Sequence, residues 1–558
     1  MTTTLPLADR VDTAIEDSVR ALFAAQHPDG SWPNPRPAAV SGTAGAVLAL
    51  RLIDPEKSAE LISGGVDWLL RVRNADGGWG TLQGCPTDFV ATVMAAAALR
   101  TAAPQRSDSV VRAALDLLRD RGDVAGLADP TMRQLTGLVL AAAGLRDPVG
   151  LPRVPVEVVL LPTFLRRRLL SYLVPPFVTL ALLQSRLRRS GPVARVLDRL
   201  ARPAALRLLG QISSEEGGVG SYGGDPWLTG LVGTALYLTR SAPELQAAAR
   251  SYLRMTAQPD GSWHMIHGMA VERIEVTGPA YVATSLAAAG HGSAEQLTRA
   301  RRWLAECQQH ERFDAYDCPP GGWAWSGRRG WPNVLDSLAV LKALLAGGEQ
   351  TATLRAGIEW LRARQDRRGS WSTFVRDTLV PLDGPCPFST AEAVHTLLDA
   401  GTPASAREVD RAIRWLIRRQ NADGSYDALW HRGGVPATSA VLRALGRAGL
   451  DRHPAAERAR RWLLDAQLPD GSWSTGRGGT DGTPEETGWA LAALAGIGGA
   501  RAERAAAQWL VASQGADGRW PPGQVCTYIR DHVYYSDNLI GQGLALGALV
   551  AYRERGSR

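Results

Sequence analysis

Several residue types are scarce in this 558-residue chain, and each scarcity narrows what the protein can be. Lysine occurs only at Lys57 and Lys342, and the five cysteines are scattered without a Cys-x-x-Cys pair. The sequence therefore predicts neither disulfide bonds nor a structural metal site. No uninterrupted run of about 18 or more apolar residues is present, so no segment is predicted to span a bilayer. Phenylalanine is also scarce while alanine and leucine are abundant, which favours helices over strands.

The positive charge comes almost wholly from arginine and gives the chain a formal net charge of +7. The arginines are spread over the predicted helices without a dense basic run or a recognition motif, so a nucleic-acid partner is not expected. Residues 1–14 are polar and acidic and lack the apolar core of a signal peptide, which predicts a cytoplasmic location. The length of the chain favours two domains.

A short turn of the form Gln-x-x-Asp-Gly-Ser-Trp recurs along the chain, and we call it the Gln–Trp turn. Its seven near-copies occupy residues 26–32, 73–79, 258–263, 365–371, 420–426, 467–473 and 514–520. Glycine at its centre would supply the left-handed conformation that ends a helix at little cost. One such turn is a weak signal, but seven near-copies indicate stacked supersecondary units.

Each unit predicts two helices of different character. A helix with an Arg/Glu face precedes the turn, as at Trp415–Gln420. A helix of small and apolar residues follows it, as at Thr438–Leu442 and Thr487–Leu491. One buried and one half-exposed helix in about 50 residues is typical of an α/α barrel or solenoid. The sequence therefore predicts an all-α fold.

One apolar stretch, residues 151–190, interrupts the repeats and lies between arginine clusters. It has the composition of a helix lying in a membrane surface. It is equally typical of a buried helix pair that is broken at Pro175 and Pro176. The residues alone do not decide between these alternatives.

The Gln–Trp turn resembles the QW motif of the squalene–hopene cyclases, the oxidosqualene cyclases and the class II diterpene cyclases. The resemblance runs from about residue 20 to the C-terminus. It also includes residues 154–162, 320–325, 371–374 and 484–487. It implies two α/α barrels, the β and γ domains, with a hydrophobic cavity between them that holds a linear isoprenoid. It also implies a mainly structural role for the tryptophans of the turns, namely Trp32, Trp79, Trp263, Trp371, Trp473 and Trp520.

On this resemblance, residues 21–285 form a γ-like barrel with an apolar insertion at 151–190, and residues 286–558 form a β-like barrel. Residues 1–20 are expected to pack on the C-terminal barrel. In the hopene cyclases the region corresponding to 155–190 lies near a membrane-attached substrate channel. The resemblance therefore favours peripheral contact at the inner face of the membrane, and a homodimer is expected because membrane-attached relatives are often dimers.

Family members that protonate an alkene carry Asp-x-Asp-Asp-Thr-Ala after the Gly-Gly-Trp loop, and the middle aspartate gives the proton. An alkene is a very weak base, so this acid must stay protonated in an apolar pocket. Here the aligned residues 333–336 read Asn-Val-Leu-Asp, so Leu335 takes the place of the acid. A register slip of one residue would place Asp336 there instead. The alternative role for Asp336 and Asn333 is to stabilise the start of a helix.

Two further residues are predicted to take part in catalysis. Asp383 precedes a buried helix, and His431 follows Trp430 as in the Trp-His pair of bacterial class II diterpene cyclases. Caps, turns and exposed positions are the ordinary alternatives for both. Asp314 and Asp317, which come just before the Gly-Gly-Trp loop, are further acids with the same alternatives.

Aromatic side chains outside the repeated turns are predicted to face the substrate, because their π faces stabilise carbocations. Together with Asn333 and Leu335, the predicted substrate-binding residues are Trp323, Trp325, Trp331, Trp430, Trp489, Tyr528, Tyr534 and Tyr535. Packing of an ordinary core would use the same residue types.

The sequence leaves three functions open. The first is an enzyme that cyclises or rearranges a linear isoprenoid with a non-standard acid. The second is a pseudo-cyclase that binds the isoprenoid without protonating it. The third is a diphosphate lyase or transferase on the same scaffold. No cofactor is expected for the first two, whereas Mg²⁺ is expected if the substrate is a diphosphate.

Overall fold

The computed structural model describes residues 6–34, 36–148, 150–188, 191–266, 275–327, 330–348, 351–474, 479–529 and 533–556. The chain forms two compact units. The first unit comprises Met1–Pro35, Ile274–Arg312 and Cys318–Arg558, and the second comprises Arg36–Arg273 and Phe313–Asp317. No described helix is both long enough and apolar enough to cross a bilayer.

The first unit is a closed α/α barrel. Six inner helices pack side by side, and the last returns to the first. They are α12 (Thr277–Leu286), α14 (Val334–Leu345), α16 (Pro387–Asp399), α18 (Val435–Arg447), α20 (Pro484–Leu494) and α22 (Asn538–Gly556). The outer helices are α1 (Leu7–Ala24), α13 (Glu295–Glu306), α15 (Ala352–Ala363), α17 (Arg407–Arg418), α19 (Pro454–Asp465) and α21 (Ala500–Ser513). Because α1 packs on α21 and α22, the first helix of the chain completes the outer layer of this barrel.

The second unit is a smaller α/α barrel with five inner helices, which also close on themselves. They are α2 (Val40–Ile53), α4 (Phe89–Ala102), α6 (Pro130–Ala142), α8 (Val174–Leu187) and α10 (Pro226–Leu238). The remaining helices are α3 (Ala59–Arg71), α5 (Pro104–Asp120), α7 (Thr163–Leu170), α9 (Pro192–Glu215) and α11 (Pro243–Met255). The predicted all-α fold with two α/α barrels is confirmed.

The apolar stretch at 151–190 divides into two parts. Its second half is α8, an inner helix of the second barrel, and residues 178–184 of that helix are buried. The buried-helix interpretation therefore holds for α8. Large apolar side chains are exposed before it, at Leu160, Phe164 and Leu169, and after it on α9.

The Gln–Trp turns connect neighbouring repeats of the first barrel through hydrogen bonds. The side-chain amide of Gln467 donates to Gly471 O at 2.9 Å within its own turn and to Ala502 O of the next outer helix at 3.0 Å. Trp473 Nε1 donates to Leu463 O at 2.8 Å. The same arrangement recurs at Gln26, Gln365, Gln420 and Gln514. Because Gln514 bonds to Ala14 O of α1, these hydrogen bonds also close the outer layer.

Glycine is required in these turns for two reasons. Gly471 has φ +94, a left-handed value that glycine adopts without strain. A Cβ atom added to Gly471 would also lie 2.6 Å from the backbone of Ala505 in the next outer helix. Gly471 thus has the predicted left-handed conformation, but it shapes the turn rather than ending the helix, because α19 already ends at Asp465 with Ala466 as its C-cap. Close packing adds a second constraint on this glycine.

An eighth turn of this kind escapes the sequence pattern because an insertion separates its glutamine from its tryptophan. Gln308 Nε2 donates to Gly321 O at 2.8 Å and to Thr353 O of α15 at 3.0 Å. Trp323 Nε1 donates to Leu304 O at 2.7 Å. The insertion contains Phe313–Asp317, which belongs to the second unit.

Four short strands form two antiparallel hairpins within the described residues. They are β1 (Trp323–Ala324) with β2 (Pro332–Asn333), and β3 (Cys526–Ile529) with β4 (Val533–Tyr535). Each hairpin comes directly before an inner helix of the first barrel, α14 and α22 respectively. The strands thus hold the loops that lead into these helices.

Candidate functional site

The loops that precede the inner helices of the first barrel are hydrogen-bonded to one another. The bonds are Val276 N to Trp325 O at 3.2 Å, Val334 N to Thr373 O at 2.9 Å, Trp430 Nε1 to Thr373 Oγ1 at 2.7 Å and Thr527 N to Trp430 O at 3.0 Å. Because these loops come from successive repeats, the inner helices all begin at one end of the barrel, which we call the loop end. The positive ends of their helix dipoles favour carboxylates there.

The start of α14 is built by Asn333, Asp336 and Thr277. Asn333 is the N-cap, and its side-chain oxygen accepts a hydrogen bond from Asp336 N at 3.0 Å. The side-chain amide of Asn333 donates to Asp336 Oδ2, and the Thr277 hydroxyl donates to Asp336 Oδ1 at 2.6 Å. Both carboxylate oxygens of the buried Asp336 are thus engaged. This is the helix-start arrangement that the sequence offered as the alternative to catalysis.

Leu335 is the second residue of α14 and is half-buried. That Leu335 stands at the position of the family acid stays a prediction from the sequence pattern. Ser337 lies deeper in the helix, and its hydroxyl accepts a hydrogen bond from Trp323 N at 2.9 Å. The Gly-Gly-Trp loop is thereby joined to the first turn of α14.

Asp383 lies in the loop before α16 and is fully buried. Its carboxylate accepts hydrogen bonds from Phe374 N at 2.6 Å and from Val375 N at 3.0 Å. These backbone groups belong to the same loop, so Asp383 holds the loop in shape. That Asp383 also takes part in catalysis stays a prediction.

His431 packs in an aromatic cluster with Phe388 and Trp489. Its ring centroid lies 4.5 Å from that of Phe388 and 5.0 Å from that of Trp489. Burial lowers the pKa of His431 to about 4, so the imidazole is neutral at pH 7. A neutral imidazole there can orient a neighbouring group or accept a proton, but it carries no positive charge.

A second aromatic cluster joins Trp331, Phe374 and Trp430, all half-buried. The ring centroid of Phe374 lies 6.0 Å from Trp331 and 5.8 Å from Trp430, and both pairs meet edge to face. Trp323, by contrast, is fully buried, and Trp325 is half-buried. The structure thus brings together two of the predicted aromatic residues, with Phe374 added between them.

The predicted tyrosines lie in the hairpin before α22. The guanidinium carbon of Arg432 lies over the ring of Tyr534, 4.1 Å from the ring centroid. Tyr535 pairs with Cys526 across the hairpin and is half-buried. The side chain of Tyr528 lies outside the part of the chain whose side chains the structure describes.

Buried acids that the sequence did not single out occupy the same end of the barrel. Glu485 and Glu486, the second and third residues of α20, are both 0% exposed. Gly523 N donates to both oxygens of Glu485 at 3.0 and 3.1 Å. Burial raises the pKa of Glu485 to about 7 and that of Glu486 well above its usual range.

Two more carboxylates, those of Glu275 and Asp537, share one partner. The side-chain amide of Asn34 donates to Glu275 at 2.7 Å and to Asp537 at 3.0 Å. Asp537 also accepts hydrogen bonds from Leu539 N and Ile540 N at the start of α22, each at 3.0 Å. The sequence showed these acids only as residues before a helix, which is the ordinary place for a capping carboxylate.

Among the described residues, no three His, Cys, Asp or Glu side chains are placed so that they could hold a metal ion. The expectation of Mg²⁺ depended on a diphosphate substrate and stays a prediction. The acids of the loop end are instead hydrogen-bonded to backbone groups, hydroxyls and amides.

Comparison with known proteins agrees with this architecture. The profile of the squalene–hopene cyclase N-terminal domain matches residues 15–170, and that of the C-terminal domain matches residues 279–535. The squalene–hopene cyclase of Alicyclobacillus acidocaldarius is 26% identical over an alignment of 510 positions that covers 78% of this chain and 78% of that protein. A drimenyl diphosphate synthase of Streptomyces showdoensis is 30% identical over 216 residues, which cover 38% of this chain and 36% of that protein.

Comparison with solved structures shows a similar fold. The ent-copalyl diphosphate synthase from Streptomyces platensis matches 98% of this chain and 100% of its own, with a TM-score of 0.60 and 19% sequence identity. At that identity the match speaks for the fold alone. The two matching profiles together cover more than half of the sequence. The chain therefore belongs to the class II terpene cyclase superfamily, which includes the squalene–hopene cyclases.

Proposed function

We propose that the chain is a terpene cyclase that binds a linear isoprenoid and cyclises or rearranges it through carbocations, with a non-standard acid. The proposal rests chiefly on one observation: the loop end holds two fully buried carboxyl groups, those of Glu485 and Glu486, at the start of one inner helix. Burial raises the pKa of Glu485 to about 7 and that of Glu486 well above its usual range. Protonation of an alkene needs an acid in this state.

The surroundings of these acids support the same reaction. The aromatic clusters of His431 and Trp489, and of Trp331 and Trp430, occupy the same end of the barrel. Aromatic faces stabilise the carbocations that follow protonation. Asp336 and Asp383 stay candidates for the acid, although hydrogen bonds already engage both oxygens of each.

A second candidate function is binding of an isoprenoid without protonation. The observation that favours it is Leu335, which has no proton to give at the aligned position of the family acid. Under this alternative the glutamates of α20 only cap their helix and hold the loop around Gly523.

The test is incubation of the purified protein in D₂O with linear polyprenes, polyprenyl diphosphates and their terminal epoxides. The expected product is a cyclic or rearranged isoprenoid, and an alkene-initiated product carries one solvent deuterium on the carbon that was the CH of the terminal alkene. Recovery of every substrate unchanged would contradict catalysis. Saturable binding of the unchanged substrate would then support the second candidate function.

We also propose that the second unit touches a membrane surface through an apolar face formed by Leu160, Phe164, Val193, Val196 and Leu200. These side chains are 52% to 72% exposed. Six of the ten large apolar side chains that are exposed among the described residues lie between 160 and 200. Such a concentration marks an interaction surface rather than ordinary scattered exposure.

The geometry and charge of this apolar face suit a lipid surface. Val193, Val196 and Leu200 are spaced by three and four residues at the start of α9, so they share one side of that helix. Arg195 and Arg199 are exposed on the same helix and can meet anionic headgroups. The predicted location at the inner face of a membrane and the predicted homodimer stay predictions.

Co-sedimentation with vesicles that contain anionic lipid tests this contact. Phe164→Glu together with Leu200→Glu should release the protein from vesicles, because the charges cannot enter the apolar layer. Leu379→Glu is the matched control, since Leu379 is 59% exposed but lies in the first unit. Equal sedimentation of both variants would contradict the proposed surface.

A further inference from the structure

We infer that the interior of the first barrel contains a binding site for a phosphate or diphosphate group, built around Arg443 and remote from the loop end. The inference concerns binding alone, so it does not depend on whether the protein is a cyclase. It comes from the position, exposure and charge of polar side chains on four inner helices, α12, α14, α16 and α18.

Three polar side chains occupy equivalent positions on successive inner helices. Lys342, His395 and Arg443 are the ninth residues of α14, α16 and α18, which pack side by side. Each of the three is half-buried, whereas the residues directly before and after it are buried. Because the inner helices all begin at the loop end, these residues lie at similar depth in the barrel, roughly 12 Å from the helix starts.

An electrostatic interaction across the barrel shows which way Arg443 points. In the ring of six inner helices, two helices separate α18 from α12 on either side, so α18 and α12 face each other. Burial raises the pKa of Tyr281 on α12, and the nearby charge of Arg443 acts against that rise. Helices on opposite sides of the ring interact through its interior. Arg443 and Tyr281 therefore both point into the barrel.

The carboxylates of this region are already paired with other side chains. Glu392 forms an ion pair with Lys342, and Asp399 lies 3.0 Å from His395 Nδ1 and 3.0 Å from Arg447 Nε. Within the described part of the chain, Arg443 takes part in no hydrogen bond or ion pair. None of its side-chain nitrogens is fully enclosed, so a small ligand can reach these donors.

The interior around Arg443 has an excess of positive charge. Burial and the charge of Arg443 both lower the pKa of Lys342, and burial lowers the pKa of His395 to about 4. A cation that is removed from water without a counter-ion is costly. A bound phosphate group would supply the missing negative charge, and its oxygens match the planar fork of a guanidinium. Lys342 adds a second cation beside that fork.

The site has room and lies close to the surface. Ala492, the ninth residue of α20, is also half-buried, so a small side chain takes the next equivalent position around the ring. One turn beyond His395 and Arg443, the residues Asp399 and Arg447 end α16 and α18 and are exposed. A ligand can therefore enter past the C-terminal ends of these helices.

The alternative role of these cations is to offset the negative ends of the inner helix dipoles, which lie at the same end of the barrel. In that role Arg443 would stabilise the fold without any ligand. The two roles predict different results when Arg443 is replaced by glutamine.

Titration calorimetry with inorganic diphosphate, in the presence of a metal chelator, tests the site. The wild type should bind one diphosphate per chain, and Arg443→Gln should weaken the affinity by about tenfold or more, because a charged pair of hydrogen bonds is lost. Arg461→Gln is the matched control, since it removes the same charge from an exposed position on the outer helix α19. Its affinity should stay within about twofold of the wild type. No binding by the wild type, or equal binding by wild type and Arg443→Gln, overturns the inference.

Thermal unfolding of the same proteins separates ligand binding from a structural role. Arg443 has no partner to lose, so without ligand Arg443→Gln should unfold at about the temperature of the wild type. Diphosphate should raise the Tm of the wild type and of Arg461→Gln but not that of Arg443→Gln. A loss of stability in Arg443→Gln that diphosphate does not affect in any of the proteins supports the helix-dipole role and overturns the site.

Competition experiments identify the source of the phosphate group. Geranylgeranyl diphosphate that displaces inorganic diphosphate and binds more tightly, in a manner that depends on Arg443, assigns the site to the head group of an isoprenoid. Equal or weaker binding assigns it to a free phosphate or diphosphate. Displacement by the uncharged geranylgeraniol would overturn a site for an anion. Because turnover is not measured, failure of the proposed cyclisation leaves this inference standing, and failure of diphosphate binding leaves the proposed function standing.

Discussion

Asn333 and Asp336 hold each other in place at the start of α14. The backbone N–H of Asp336 donates to the side-chain oxygen of Asn333 at 3.0 Å, and the side-chain amide of Asn333 donates back to the carboxylate of Asp336. This exchange resembles a capping box, except that the acid at the third helical position accepts from the side-chain amide of the cap residue and not from its backbone N–H. The degenerate acid motif thus retains a complete helix start although its central acid is missing.

The first prediction concerns this pair. Asn333→Ala should destabilise the first unit by about 2 kcal/mol, because it removes an N-cap and leaves a buried carboxylate with one partner fewer. Asn333→Ser keeps the cap oxygen and loses only the amide donor, so its cost should be about half as large. Urea unfolding measures both variants, and equal losses would show that the return hydrogen bond contributes most of the stability.

The second prediction restores an acid at the aligned family position. Leu335→Asp places a carboxyl group at the second residue of α14, where the helix dipole favours it and where the native side chain is only half-buried. In the otherwise unchanged chain this substitution should restore alkene-initiated cyclisation or raise its rate. Leu335→Asn is the matched control, since it adds polarity without an acid. Recovery by both variants would show that the gain comes from polarity and not from proton transfer.

The architecture could be predicted from the sequence because each repeat carries its own signal. The glycine, glutamine and tryptophan of a turn form it from residues that are close in the sequence. Gly471 supplies the left-handed conformation, and Gln467 and Trp473 each donate a hydrogen bond to a carbonyl within ten residues. The turn of Gln308 and Trp323 was missed because an insertion separates these two residues in the sequence. The hydrogen bonds typical of the turn nevertheless form in the folded chain. The packing of residues 1–20 on the C-terminal barrel was expected from the family resemblance and not from a local signal, since the partners of α1 are hundreds of residues away.

The candidate site was harder to predict because its chemistry depends on burial. Glu485 and Glu486 look in the sequence like two ordinary acids in the first turn of a helix. Burial in the folded chain raises their pKa values, while the Gly523 N–H lowers that of Glu485 and the charge of Arg432 lowers that of Glu486. Asp336 and Asp383 drew attention through motif position, yet the structure gives both a full set of hydrogen bonds.

The third prediction concerns the connections between repeats. Gln467→Ala removes two hydrogen bonds of the side-chain amide, one within its turn and one to Ala502 O of α21. The expected cost is about 1–3 kcal/mol, since the two carbonyl groups lose a partner in a half-buried setting. Gln211→Ala is the control, because Gln211 is exposed and its side-chain amide donates to the Glu215 side chain within the same helix. Urea unfolding should separate the two variants, and equal stability would argue against the connecting role of the amide.

The last prediction uses pH to test the buried state of Glu485. Its pKa is about 7 in the folded protein and 4.5 for the free side chain. The native state therefore holds a proton that the unfolded state releases, and the free energy of unfolding falls as pH rises from 4.5 to 7. At about 1.4 kcal/mol per pKa unit, this dependence is on the order of 3 kcal/mol.

Glu485→Gln removes this titration, so its unfolding free energy should fall less steeply than that of the wild type between these pH values. His431, whose pKa is lowered to about 4, titrates nearby with the opposite sign, because the native state lacks the proton that the unfolded state binds. That contribution is present in both proteins and cancels in their difference. Glu311→Gln, at an exposed position, is the control and should give a curve parallel to the wild type. A Glu485→Gln curve that also runs parallel would mean that this carboxyl group is already ionised in the folded protein, which would remove the chief support for acid chemistry at the start of α20.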